Sequence, residues 1–277
     1  SAALGQVVGR LIHEGPKEDL ALTTNTQPVM LVAGIAAYRA WLAEGGAVTA
    51  AVAGHSLGEY TALVASGVLT LAQAVPLVRL RAAAMQEAVP VGVGAMAAIL
   101  GLDANTVREV CAKTMAGSSE IAEAVNFNDP GQTVIAGTKA GVEQACAALK
   151  EAGAKRALNL PVSAPFHSSL MRPAALKLQA ALADLTLGTP QIPVINNIDV
   201  LVETDAAKIK DALYRQAFGP VRWVECVQAI KARGISHIVE CGPGKVLAGM
   251  AKRIDPDMQA STIFDPASLE QTRADLA

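Results

Sequence analysis

Two rhythms of apolar positions alternate along the chain. After Thr26-Gln27-Pro28, the run VMLVAGIAAYRAWLAEG predicts a helix with Pro28 in its first turn and Gly45-Gly46 at its end. A short apolar strand is expected over 47–53, then a tight turn, a short helix, and a longer helix over 71–88 that Pro76 kinks or delays. From Gly94 the pattern shifts. MAAILGL reads as a strand, 104–115 as a helix opened by Asp103, and EIAEAVNF with QTVIAG as a hairpin through Asn128-Asp129-Pro130-Gly131. A helix over 139–152 and the strand KRALNLP complete a β-α-β-β-α-β order, the split βαβ of a ferredoxin-like unit. Helix–strand alternation then resumes: a helix over 170–185, the strand IPVINNI, helices over 206–217 and 224–233, the strand ISHIVEC, and the helix KVLAGMAKRI. The polar tail from Asp265 is expected to fray.

Helices alternating with Val/Ile-rich strands imply an α/β fold, a mostly parallel sheet with flanking helices in the manner of an α/β-hydrolase. Residues 1–91 and 162–277 are expected to form this catalytic unit, interrupted by the ferredoxin-like unit at 92–161. A length of 277 residues suits about one to two domains. With 52% hydrophobic and 17% charged residues the chain reads as globular, and the apolar run 29–38 is too short to span a bilayer. A net charge of −2 argues against a general nucleic-acid binder. No basic, apolar leader opens the sequence, and Cys111, Cys146, Cys226 and Cys241 lack CxxC spacing; both point to reduced thiols in a cytoplasm. Four histidines without HxxxH or HExxH spacing argue against a metal, and no cofactor is expected. Gly242-Pro243-Gly244 lacks the spacing of a phosphate-binding loop and reads as a strand-to-helix turn.

Chemistry enters at AVTAAVAGHSLGEYTALVASG. Gly54 and Gly58 flank Ser56 two positions away on either side, where larger side chains would collide with backbone. Strand, G-x-S-x-G turn and helix together are the context of a nucleophile elbow. The plainer reading is a Gly-rich turn whose serine caps a helix. A serine hydroxyl needs a base. His55 is adjacent and points apart from Ser56, whereas His167, in the loop SAPFHSSL between a strand and a helix, is better placed. Asp103 and Asp129 read as a cap and a turn residue, which leaves room for a dyad oriented by something other than a carboxylate; a backbone carbonyl can fix the tautomer by accepting from the far ring nitrogen.

GHSLGEY, VRLRAAAMQEAVP, APFHSSLM and ECGPGKVL, colinear across the chain, resemble the malonyl-CoA:acyl carrier protein transacylase family of fatty acid synthesis. The resemblance implies Ser56 as nucleophile, His167 as general base and acid, and the Leu57 N–H as an oxyanion donor. It implies Gln216, in LYRQAF, as the residue whose main-chain carbonyl orients the histidine. Read alone, Gln216 is a surface helix residue. Arg81 matches the arginine that binds the malonyl carboxylate; read alone, it is one charge on a solvated helix face near Arg79. Gln27 matches a polar residue of the family's pocket, although before Pro28 it can also cap a helix. Phe166 resembles the bulky residue of malonyl-selective acyltransferases in polyketide synthases, and should crowd an α-methyl branch.

The implied partners are malonyl-CoA and an acidic acyl carrier protein. Lys155 and Arg156 are candidate docking cations, along with Arg215, Arg222, Lys245, Lys252 and Arg253. The family pattern opens with a first strand and a Gly-Gln-Gly motif supplying a second oxyanion donor. This sequence starts in what reads as a helix, and Gly5-Gln6 has no strand before it. The rivals are a serine thioesterase or hydrolase, which needs Ser56 and His167 but not Arg81, and a catalytically impaired carrier-binding module.

Overall fold

The computed structural model of the chain describes residues 8–162 and 164–277; Gly5-Gln6 and Ser163 lie outside these. The elements run α1 (Val8–Glu14), α2 (Lys17–Ala21), α3 (Thr23–Ala43), β1 (Val52–Ala53), α4 (Leu57–Ala65), α5 (Leu71–Glu87), β2 (Gly94–Leu100) and α6 (Ala104–Met115). They continue with β3 (Ala122–Asp129), β4 (Gln132–Thr138), α7 (Lys139–Glu151), β5 (Arg156–Asn159), α8 (Arg172–Ala183) and β6 (Val194–Ile195). The last are α9 (Ala206–Gln216), α10 (Trp223–Ala232), β7 (His237–Cys241), α11 (Val246–Ile254), β8 (Gln259–Ile263) and α12 (Pro266–Asp275).

The parallel strands come as two pairs, β1 with β6 and β7 with β8. Helices α3, α4, α5, α8 and α9 close over the first pair through Leu31, Leu63, Val78, Leu178, Val194 and Leu213. A second core, around Trp223, Val227, Met250 and Ile195, packs α10 and α11 beside it. The ferredoxin-like unit is a four-stranded antiparallel sheet in the order β3-β4-β2-β5. Its β2 alternates faces, as period-2 geometry requires. Ala97 and Ile99 face α6 and α7, while Met96 and Ala98 pack toward Phe166. Strand β3 is also joined to the segment before α10: Phe127 N–H donates to the Val221 carbonyl (3.0 Å) and Val221 N–H to the Val125 carbonyl (2.8 Å).

Several expectations need correction. Helix α3 begins at Thr23, so Pro28 lies inside it and not in its first turn. The polar residues ahead of Pro28, from Thr23 on, are already helical, and Thr26 Oγ1 bonds back to the Leu22 carbonyl. Pro76 does not delay α5, because Thr70 and Gln73 form a capping box that starts the helix at Leu71. The tail from Asp265 does not fray: Asp265 and Ser268 form a second capping box, with Pro266 in the first turn of α12. Strand β8 was not anticipated; QASTI is too polar to announce a strand and is recruited by pairing with β7.

Candidate active site

Strands β1 and β6 run in parallel, with Val52 opposite Val194 and Ala53 opposite Ile195. Their carboxyl ends therefore deliver Gly54-His55-Ser56 and Asn196-Asn197 to one place. Ser56 caps α4 with φ +52° and ψ −107°, a backbone state that non-glycine residues seldom adopt. Asn197 holds the turn from both sides. Its Oδ1 accepts from Ser56 N–H (2.7 Å) and its Nδ2 donates to the Gly54 carbonyl (2.8 Å). The steric argument for two glycines holds for only one. A Cβ on Gly54 would come within 2.0 Å of the Gly58 backbone, whereas one on Gly58 would meet nothing within 4 Å.

His167 arrives from the turn before α8, also in a left-handed conformation (φ +66°). Its Nε2 lies 2.7 Å from Ser56 Oγ, and its Nδ1 lies 2.8 Å from the Gln216 main-chain carbonyl. A carbonyl oxygen can only accept, so Nδ1 carries the proton and Nε2 is the bare nitrogen facing the hydroxyl. Burial first, and then the Arg81 cation, push the His167 pKa down to about 3, so the ring is neutral at physiological pH. His55 is turned away from the serine, with Nε2 donating to Asn128 Oδ1 (2.8 Å) and its ring against Trp223.

Arg81 overturns the solvated-face reading, being only 2% exposed. Nη2 donates to Ser56 Oγ (3.0 Å) and Gln216 Oε1 (3.1 Å), and Nη1 to Gln27 Oε1 (2.7 Å). The guanidinium also stands 5.3 Å from the Tyr60 ring centre. Among the described residues it makes no ion pair. Gln27 sits within α3 and does not cap it. Gln216 is no surface residue either. It is fully buried at the end of α9, and its Nε2 donates to the Ser56 carbonyl (3.0 Å) and to Glu59 Oε2 (2.9 Å). Leu57 is the first residue of α4, where N–H groups have no carbonyl of their own helix to bond. Phe166, next to His167, packs between the ferredoxin-like sheet face and the Met85–Met171 cluster.

Sequence reasoning did not reach Asn197 and Glu59. The available signals were two asparagines closing an apolar strand, and an acid in the first turn of an otherwise apolar helix. Of the candidate docking cations, Arg215 is paired with Asp199 and Asp211, Arg222 with Glu225, and Arg253 with Asp129. Lys245 stacks over Phe264. Lys155 and Arg156, at the β5 edge, are exposed and unpaired among the described residues, as is Lys252. All four cysteines are free. Among the described residues no group of acids, histidines and cysteines could hold a metal, and no helix is long and apolar enough to cross a membrane.

A neutral histidine on a strained serine, beside a buried cation without an acid partner, is equipped to acylate the serine with a group that carries its own negative charge. Comparison with known proteins agrees. The family model described as "Acyl transferase domain" matches residues 2–262. The malonyl CoA-acyl carrier protein transacylase of Salmonella typhimurium is 52% identical over 269 residues, covering 97% of this chain and 86% of that protein. The crystal structure of an acyl-carrier-protein S-malonyltransferase from Burkholderia pseudomallei superposes with a TM-score of 0.96 at 64% identity, covering 98% of this chain and 88% of that one. A type II PKS acyl-carrier protein in complex with its malonyl-transacylase matches with a TM-score of 0.96 at 48% identity, covering 99% of this chain and 88% of that one. Matched along nearly its whole length by sequence and by structure alike, the chain belongs to the acyl transferase domain family.

Proposed function

We propose that this protein transfers the malonyl group of malonyl-CoA to the phosphopantetheine thiol of acyl carrier protein, in the cytoplasm and in the service of fatty acid synthesis. The observation that carries this reading is Arg81: a buried guanidinium without an acid partner among the described residues, one nitrogen 3.0 Å from Ser56 Oγ. A buried cation is costly unless paired, and a bidentate carboxylate is its natural partner. The free carboxylate of a malonyl group would supply it while the thioester carbon lies at the serine. A plain hydrolase would have no use for this charge.

In this reading Ser56 Oγ attacks the thioester carbonyl and gives its proton to His167 Nε2, while the Gln216 carbonyl stabilises the resulting imidazolium through Nδ1–H. The Leu57 N–H donates to the oxyanion. The C–S bond breaks, the proton passes from Nε2 to the departing CoA sulfur, and a malonyl ester remains on Ser56. The carrier thiol then gives its proton to His167 and attacks the ester, and Ser56 Oγ leaves with that proton. Phe166 would crowd a methyl on the malonyl α-carbon, a preference worth about 1–3 kcal/mol. Residues 1–91 with 162–277 form the catalytic unit and 92–161 the ferredoxin-like one. Lys155 and Arg156 offer free positive charge to an acidic carrier.

Intact-mass and peptide mapping after brief exposure to malonyl-CoA tests the reading. A malonyl adduct on the Ser56 peptide, absent from S56A and discharged by added acyl carrier protein, is expected. Turnover without a carrier and without an adduct would instead favour a hydrolase.

A further inference from the structure

Glu59 is a buried acid that the reaction steps above do not use. It lies in the first turn of α4, three residues after Ser56, at 2% exposure, and forms no ion pair among the described residues. A single oxygen, Oε2, accepts from two donors: the Asn197 main-chain N–H (2.9 Å) and Gln216 Nε2 (2.9 Å). Both donors belong to residues that hold the site. Asn197 brackets the serine turn through Ser56 N–H and the Gly54 carbonyl. Gln216 presents its main-chain carbonyl to His167 and its Oε1 to Arg81.

The chemistry of an amide gives Glu59 a direct hold on the second of these. A glutamine amide has two orientations, and they exchange a donor for an acceptor at each end. With Nε2 toward Glu59 and the Ser56 carbonyl, Oε1 faces the Arg81 N–H, and every contact pairs a donor with an acceptor. Reversed, Oε1 would face a carboxylate and a carbonyl, while NH2 would face a guanidinium N–H. The carboxylate therefore reinforces, together with the Ser56 carbonyl and the Arg81 N–H, the orientation in which Gln216 can hold Arg81. An acid in a first helical turn also favours the helix dipole, but that role requires neither of the two donors that Glu59 receives.

We propose that Glu59 is a positioning residue for the transfer: by accepting from Asn197 and Gln216 on one oxygen, it aims Arg81 at the acyl carboxylate and His167 at Ser56. The proposal rests on the malonyl-transfer reading above. Rapid-quench loading of Ser56 from malonyl-CoA and from acetyl-CoA separates the two, with thermal melts reporting folding. Failure of the wild-type protein to load malonyl would sink the reading itself, whatever the role of Glu59. Given wild-type loading, E59A is expected to load malonyl about 100-fold more slowly, the scale of loss for a misaimed catalytic group. Because Arg81 loses its fixed partner, acetyl loading should fall less, so the malonyl-to-acetyl preference narrows. E59Q retains an oxygen that can accept both bonds, and is expected to recover most of the rate and the preference. If E59A does not fold, E59M, which fills the volume without an acceptor, takes its place. Equal losses for malonyl and acetyl, loading at the wild-type rate without the acceptor, or an E59Q as impaired as the variant lacking the acceptor would each overturn the proposal.

Discussion

Arg81 and Arg79 are two positions apart in one helical run, and nothing in VRLRAAAMQ separates a binding cation from a surface one. The difference is made by tertiary neighbours. Gln27 on α3, Tyr60 on α4 and Gln216 on α9 converge on Arg81 from distant parts of the chain, and three neutral oxygens hold its N–H groups without neutralising its charge. Arg81→Ala is therefore expected to lower kcat/KM for malonyl-CoA by about 10- to 100-fold, the worth of a charge-assisted bond at about 1.5–3 kcal/mol. Acetyl-CoA, which has no carboxylate, should lose much less. Steady-state comparison of the two donors checks this, and equal losses would remove Arg81 from acyl selection. His167 was more legible, since its Pro-flanked loop between strand and helix is a usual place for a site residue. His167→Ala should slow formation of the malonyl-serine by about 10²–10⁴-fold, the usual share of a general base, with added imidazole restoring part of the rate.

The strand–turn–helix of residues 52–65 is the element whose sequence spoke most directly, because a G-x-S-x-G turn depends on local sterics that the residues themselves state. Even so, its two glycines are not equivalent. Gly54→Ala drives a methyl into the Gly58 backbone and should cost well over the roughly 1 kcal/mol that an ordinary glycine replacement moves. Gly58→Ala places its methyl in open space within the first turn of α4, and should leave the melting temperature unchanged or raise it by the equivalent of about 0.4–1 kcal/mol. Thermal melts of the two variants decide the matter, and similar destabilisation by both would refute the asymmetry. Elements fixed by distant pairing were harder to read. β1 and β6 are two residues each, where apolar runs of seven suggested full strands, and β8 exists because β7 offers it an edge. The ferredoxin-like unit was easier, since its strands and helices alternate with local turn signals and its antiparallel pairs are close in sequence.

At the scale of the molecule, the site gathers two buried titratable groups whose shifts oppose each other, and both act on folding. His167 is held down to about 3 from 6.5, chiefly by burial. Between those values the unfolded chain binds a proton that the folded one refuses, so this group makes stability rise with pH from about 3 to 6.5. Glu59 is raised from 4.5 to about 7, again chiefly by burial against the N–H donors that favour its charge. Between 4.5 and 7 the folded chain keeps a proton that the unfolded one releases, so this group makes stability fall with rising pH over that window. From pH 4.5 to 6.5 the two slopes offset one another. Below 4.5 Glu59 is protonated in both states, and the His167 slope is joined by those of carboxylates with lowered pKa values, among them Asp199 and Glu225, held down mainly by hydrogen bonds to Arg215 and Arg222. His55 and His237, whose pKa values are lowered chiefly by burial, add slopes of the same sign as His167. The wild-type melting temperature should therefore still rise with pH across 4.5–6.5, damped by Glu59, and drop on further acidification. In E59Q nothing titrates at position 59, so the histidine slopes are unopposed and the melting temperature should climb more steeply than that of the wild type across that same interval. Melting curves of the two proteins in matched buffers settle it: parallel profiles would mean that Glu59 does not hold its proton in the fold, and with that the offset between acid and base at the centre of the site would be lost.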